Sequence, residues 1–153
     1  MDKRHLSRLI VRLKRLMMEK YELGVRVFRA GGALGFDTMA ALAVIDMKKK
    51  FPDVRLELIL PCRDQSDVWS ERDKVIYRHI ISCADSVTYA EEKYTSSCMF
   101  KRNRMLVDGS DCCIAYCNGS NGRSGTGYTV DYARSKGVEV TNIYEEGGVL
   151  FGI

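Results

Sequence analysis

"GVRVFRAGGALGFDTMAALAVIDMKKKF", residues 24–51, decides the fold. GVRVF (24–28) is a β-branched run of strand length. It stops at the glycine-rich RAGGALGFD. From about Asp37 an alanine-rich stretch follows, with lysines at its far end. Cations suit a helix C-terminus, where unpaired carbonyls leave partial negative charge. Pro52 ends that helix. Strand, glycine turn and helix therefore follow one another within a single short stretch.

The same alternation runs outward from it. VRLELIL (54–60) is a second strand closed by Pro61, and SERDKVIYRHIISCAD is a helix. SVTY is a short strand, EEKYTSS a polar loop and CMFKRNRMLVDGS a helix. CCIAYC (112–117) is a strand leading into a second glycine corner, NGSNGRSGTG. YTVDYARSK is the next helix, Gly137 its C-cap, and VEVTNIY (138–144) the last strand. The strands are near-continuous apolar runs, as strands covered on both faces are. The pattern predicts a three-layer, Rossmann-like α/β fold: a mostly parallel sheet of about five strands with helices on both faces.

Upstream, Leu6, Leu9, Ile10, Leu13, Leu16 and Met17 recur at three- and four-residue steps. They mark an amphipathic helix within residues 1–23, read as a surface helix packed on the sheet. The length of 153 residues suits one domain over 1–153, with 145–153 as a C-terminal tail. Net charge is +4, yet residues 1–20 hold seven Lys/Arg against two acids. The basicity belongs to one helix, where nucleic-acid binding would want a broader basic stripe. No apolar run approaches the roughly 20 residues that span a bilayer, and no signal-peptide pattern opens the chain. A cytoplasmic location is the expectation. Six cysteines (62, 83, 98, 112, 113, 117) form no CxxC pair and meet no histidine cluster, so they read as reduced structural thiols with no metal site.

Two glycine turns fall at the carboxyl edge of the sheet, where open α/β sheets bind ligands. GGALGFD opens one helix and GRSGTG another. Helix N-termini carry unpaired N–H groups that can hold phosphate, and glycine lets the main chain approach it. Thr126 and Thr129 can add hydroxyls. Neither turn is a Walker A or GxGxxG motif, so tight turns serving sheet geometry remain the alternative. Asp37 reads as a helix N-cap or, more sharply, as an acceptor for a ligand hydroxyl. Arg102, Asn103 and Arg104 form a polar cluster at an expected helix start near the same edge. It is either a solvated face or a phosphate clamp.

Four motifs, GGALGFDTMAA, LPCRDQSDVW, RNRMLVDGSD and SGTGYTVDYA, occur in this order over about residues 8–144. Together they resemble the SLOG superfamily, the Rossmann-like group that joins the DNA-processing Smf proteins with cytokinin-activating phosphoribohydrolases. The small bacterial and phage branch is the most similar. The resemblance implies a nucleotide-type ligand, such as ADP-ribose or NAD, and a homodimer. Gly31, Gly32, Ala33, Leu34, Gly35 and Asp37 would line one side of it. Arg102, Asn103, Ser124, Gly125, Thr126 and Thr129 would line the other, with Gln65 and Trp69 covering it.

Two departures stand out. Arg102 matches the arginine of the phosphoribohydrolases, but Thr129 stands where they carry a glutamate. A threonine cannot act as the carboxylate that stabilises a ribosyl cation or activates water. The resemblance therefore favours a sensor or ligand-handling module over a nucleotide N-glycosidic hydrolase, with single-stranded DNA binding as the Smf-like alternative. The second departure is that family members begin with a core strand ending in a Thr-Gly-His-Arg-Pro loop, whereas this chain opens on the helix. The apolar GGVLFGI at the C-terminus would fill such a gap or pair with another chain; a shortened start site or a partial gene product is the equal alternative.

Overall fold

The computed structural model describes residues 3–118 and 125–144. The described chain alternates helix and strand throughout. Helix α1 is Lys3–Glu22, β1 Val27–Ala30, α2 Phe36–Lys50, β2 Arg55–Leu60 and α3 Glu71–Cys83. Strand β3 is Ser86–Tyr89, α4 Cys98–Val107, β4 Cys112–Ala115, α5 Gly125–Ser135 and β5 Glu139–Asn142. The expected α/β, Rossmann-like arrangement of five strands is what the chain adopts.

All strand pairs are parallel. They form two ladders, β1-β2-β3 and β4-β5, where one continuous sheet was expected. Val27 pairs with Arg55, Glu57 with Ser86 and Cys112 with Glu139. The break falls between β1 and β4, whose facing edges have no ladder partner among the described residues. Parallel crossovers carry the chain outward from β1 to β3, with α2 packed on α3 and against β1 and β2. They then return it through α4 to β4 and α5, and helices cover both faces.

Local chemistry sets these elements. The first strand begins three residues later than its β-branched run. Val25 and Arg26 precede the ladder, and Arg29 and Ala30 complete it. Arg29 tolerates a strand position because its side chain reaches Glu57 on β2 (3.1 Å) and the Asp108 carbonyl (2.7 Å). The α3 helix starts on Ser70, whose hydroxyl accepts from the Asp73 N–H, an N-cap worth about 1 kcal/mol. Gly137 takes φ +75 just past α5, and the Val138 N–H closes back on the Ala133 carbonyl.

The main core lies between the first ladder and α1–α3. Leu56, Leu58 and Leu60 of β2 are fully buried against Ala41, Val44 and Ile45 of α2 and Leu13 and Met17 of α1. Each such side chain stabilises the fold by about 1.5–3 kcal/mol. The amphipathic reading of α1 holds: Leu9, Leu13 and Met17 face inward, joined by His5, while Leu6 stays partly exposed. A smaller cluster of Ala115, Cys117 and Val130 sits under α5. All six cysteines carry free thiols. Among the described residues no helix is long and apolar enough to cross a membrane, and no metal-binding cluster of His, Cys, Asp or Glu occurs.

Candidate functional site

The carboxyl end of β1 turns at Gly31 and Gly32, and their neighbours show why both are glycine. A Cβ on Gly31 would stand 2.8 Å from Arg102 Nη1 and 2.9 Å from Asp37 Oδ2. A Cβ on Gly32 would meet Leu60 Cδ2 at 2.2 Å, and its φ of +73 is left-handed. The main chain is thus pinched between the buried β2 core and a charged pair. Gly35, φ +92, is the N-cap of α2 and supplies no side-chain cap. The first-turn N–H groups of that helix have no intrahelical partner.

Asp37 stands in the first turn of α2, two residues after the cap, so it does not fill the N-cap role expected for it. Its Oδ2 accepts from the Ala33 N–H at 3.2 Å and bends the glycine turn back over the helix start. Thr38 completes the bend by donating to the Ala33 carbonyl (3.1 Å). Burial pushes the Asp37 carboxyl above the ordinary carboxylate range, and the nearby Arg102 guanidinium and the Ala33 N–H pull against that shift. Burial likewise lowers the Arg102 pKa, opposed chiefly by Asp37. The two charges compensate one another in a poorly solvated place.

Arg102 and Asn103 sit in the interior of α4, which begins four residues before Arg102, and both are buried. They were expected at the helix start. Arg102 Nη1 donates to the Gly31 carbonyl and Nε to Asn103 Oδ1 (2.7 Å). Asn103 Nδ2 in turn donates to the Gly125 carbonyl at 3.3 Å. This chain of bonds ties the first glycine turn to the opening residue of α5, so α4 holds both corners at once. Arg104 points elsewhere, to the Tyr128 hydroxyl (3.0 Å).

The second corner contributes Gly125, Thr126 and Thr129, all within α5, whose helix begins at Gly125. The Thr129 hydroxyl donates to the Gly125 carbonyl (2.8 Å), which leaves only its lone pairs for a ligand. Ser124 lies outside the described residues. Gly31, Ala33, Leu34, Asp37, Arg102, Asn103, Gly125, Thr126 and Thr129 all line one cavity of about 1060 Å³. Gly32, Gly35, Gln65 and Trp69 do not line it. Gln65 works from behind. Its Nε2 donates to the Gly32 carbonyl (3.2 Å) and the Tyr77 hydroxyl (3.0 Å), fixing the turn. Trp69 packs edge-on against Tyr77 at 5.0 Å between ring centroids.

Four further residues contribute to the cavity that sequence reasoning had not placed there. Met99 lines it one turn before Arg102 and offers its sulfur to Arg102 Nη2 at 3.7 Å. Tyr116 lines it too, stacked on Phe36 with 5.7 Å between centroids. Leu13 and Met17 of α1 form part of another wall. Only the last two were visible beforehand, as the apolar stripe of an amphipathic helix.

Comparison with known proteins matches residues 1–144 to the model of the YspA SLOG family. The chain belongs to that family. It is 32% identical over 119 residues to the SPbeta prophage-derived protein YoqJ of Bacillus subtilis, covering 70% of this chain and 68% of that protein. It is 31% identical over 141 residues to a UPF0398 protein of Bacillus cereus (strain B4264), covering 91% and 75%. A UPF0398 protein of Bacillus thuringiensis is 30% identical over the same length. The names of these relatives state no ligand and no reaction. The SLOG resemblance read from the four motifs is therefore correct.

Proposed function

We propose that this SLOG protein binds a nucleotide or nucleotide-sugar of the ADP-ribose or NAD type, as a sensor or ligand-handling module. One observation carries the reading: two glycine corners from separate ladders, each opening a helix, border a single cavity of about 1060 Å³. That volume matches the upper range of small-molecule sites. A phosphate at the α2 start would meet unpaired N–H groups and the positive end of the helix dipole. Thr126 adds a hydroxyl at the opposite corner. Arg102 contributes through the turn it holds, because its guanidinium is already engaged with Gly31 and Asn103.

Thermal unfolding in the presence of AMP, ADP, ADP-ribose and NAD tests this reading. Ligand at 100 times its Kd adds about 2.7 kcal/mol, which raises the Tm by roughly 5–10 °C for a chain of this size. No shift with any of the four at millimolar concentration refutes it.

A second reading, hydrolysis of a nucleotide N-glycosidic bond, draws on Asp37. A carboxyl that borders the cavity and is pushed upward by burial suits proton donation to a leaving base. Thr129 supplies no second carboxylate. Release of free base from nucleoside monophosphates, abolished by Asp37→Asn, would establish hydrolysis. Single-stranded DNA binding draws less support. On α1, Arg12 donates to the Ile143 carbonyl, and Lys14 and Lys20 pair with Asp46 and Glu139.

A further inference from the structure

A second cavity, of about 430 Å³, lies between α1 and α2. The two helices run side by side in the same direction. Lys14 bonds Asp46 at 3.2 Å and Tyr21 bonds Asp53 at 2.9 Å, each pair 32 positions apart. Met17 and Met18 of α1 and Ala43 and Met47 of α2 line the groove, and Phe51 stands at the end where the Tyr21 ring packs on it, 4.6 Å between centroids. The mouth opens to solvent between Lys14 and Asp46, each about half exposed. The floor does not: Met17, Ala43 and Met47 keep only 3%, 4% and 8% of their surface. The groove is therefore narrow, apolar at depth and wet at its rim. Only Met17 borders both this groove and the large cavity.

The rim carries the opposite message to the floor. Lys14, Lys49 and Lys50 edge the groove against a single acid, Asp46, which is shared between Lys14 and Lys49 (3.6 Å). Three lysines and one aspartate leave the mouth net positive above an apolar floor. We propose that this groove binds a single-chain anionic amphiphile, a medium-chain fatty acid being the simplest, with its alkyl chain between the methionines and its carboxylate among the lysines. Shape selects this occupant among anionic apolar ones. A helix is about 10 Å across, too wide for a cleft whose floor is closed to water. A bilayer surface is flat and does not reach a recessed floor. An alkyl chain is slim enough, and methionine side chains, unbranched and polarisable, adapt to its contour. The volume lies within the range of small-molecule sites.

NMR of the full chain, isotope-labelled at its methionine methyl groups, reads the groove residue by residue. Decanoate, kept below its micelle concentration, is expected to shift the Met18 and Met47 signals saturably and to leave Met99 and Met105, both on α4, in place. Octanoate, two methylenes shorter, should bind about tenfold more weakly. Decyltrimethylammonium, with the same chain length and the opposite charge, should bind at least tenfold more weakly than decanoate. The double variant Lys49→Glu, Lys50→Glu changes exposed residues and should weaken decanoate at least fivefold, while Lys93→Glu, exposed in the loop after β3, should not. Absence of a saturable shift overturns the proposal, as does equal affinity for the two head groups or a shift spread equally over Met99 and Met105. So does a response of Met18 and Met47 to phosphatidylglycerol vesicles alone, since the face would then bind membranes. No nucleotide enters this test, so its outcome is independent of the proposed function.

Discussion

Replacing Gly32 with alanine isolates the close approach on which the first corner is built. Two costs combine. An L-residue at φ +73 loses about 1–2 kcal/mol to the clash of Cβ with its own backbone. The new Cβ would also stand 2.2 Å from Leu60 Cδ2, and Leu60 has no exposed surface into which to retreat. Overpacking of that kind costs about 1–3 kcal/mol. The expected total is roughly 2–5 kcal/mol, read as a fall in the urea midpoint at constant m. Gly137→Ala is the matched control. Its φ of +75 is nearly identical, but nothing lies within 4 Å of the added methyl. It should therefore show only the backbone cost, about 1–2 kcal/mol. In a Leu60→Ala background the extra cost of Gly32→Ala should vanish, because the obstructing methyl is gone. If Gly32→Ala proves no more damaging than Gly137→Ala, the pinch between β1 and β2 is not what requires glycine there.

Further outcomes follow from the charged groups around the corners. Arg102→Met leaves the Asp37 carboxylate without its compensating cation and should cost about 2 kcal/mol at pH 7. Because burial holds the folded pKa of Asp37 above its unfolded value, the carboxyl is neutral in acid, so the loss should shrink as pH falls towards 4 and grow as it rises; equal loss at both pH values in thermal melts would contradict this. Gly31→Ala should drive the Arg102 guanidinium from the Gly31 carbonyl, and nucleotide-induced stabilisation should drop at least tenfold in apparent affinity by thermal shift. Asp85 accepts from Lys48 Nζ and the Leu56 N–H, each at 2.7 Å, and these bonds hold its pKa below the usual carboxylate range. Its contribution is present above the unfolded pKa and lost as pH falls through the lower folded one. Asp85→Asn should therefore cost about 1 kcal/mol at neutral pH and flatten the acid limb of the stability curve.

Much of this was legible in the sequence for identifiable reasons. Fully buried parallel strands such as RLELIL leave unbroken apolar runs, and a glycine turn after a strand marks the carboxyl edge. That Gly31 and Gly125 border one cavity followed from that edge rule alone. What escaped depended on partners distant in sequence. Nothing in KRNR says that Arg102 would turn to the Gly31 carbonyl, 71 residues away, and not to solvent. Gln65 lay in the right loop, but its amide serves the back of the turn, because Tyr77 stands there to share it. Asp37 missed the cap by two residues because Gly35, with φ +92, ends the turn earlier than a carboxylate cap would. The split into two ladders was the largest surprise. Strand runs show how many strands a chain offers but not which neighbours bond.

That split has a consequence for how the molecule opens. Where a sheet is continuous, main-chain bonds transmit cooperativity from one end to the other. Here, among the described residues, side-chain bonds clasp the α4–β4–α5–β5 half to the rest: Arg29 on the Asp108 carbonyl, Arg102 on Gly31, and Arg12 on Ile143. Side-chain clasps of this sort release one at a time, so the two halves should exchange their amide protons as separate units of different free energy. A molecule that bridges Gly31 and Gly125 would fuse those units into one, so its presence would register as a gain in folding cooperativity as well as in stability.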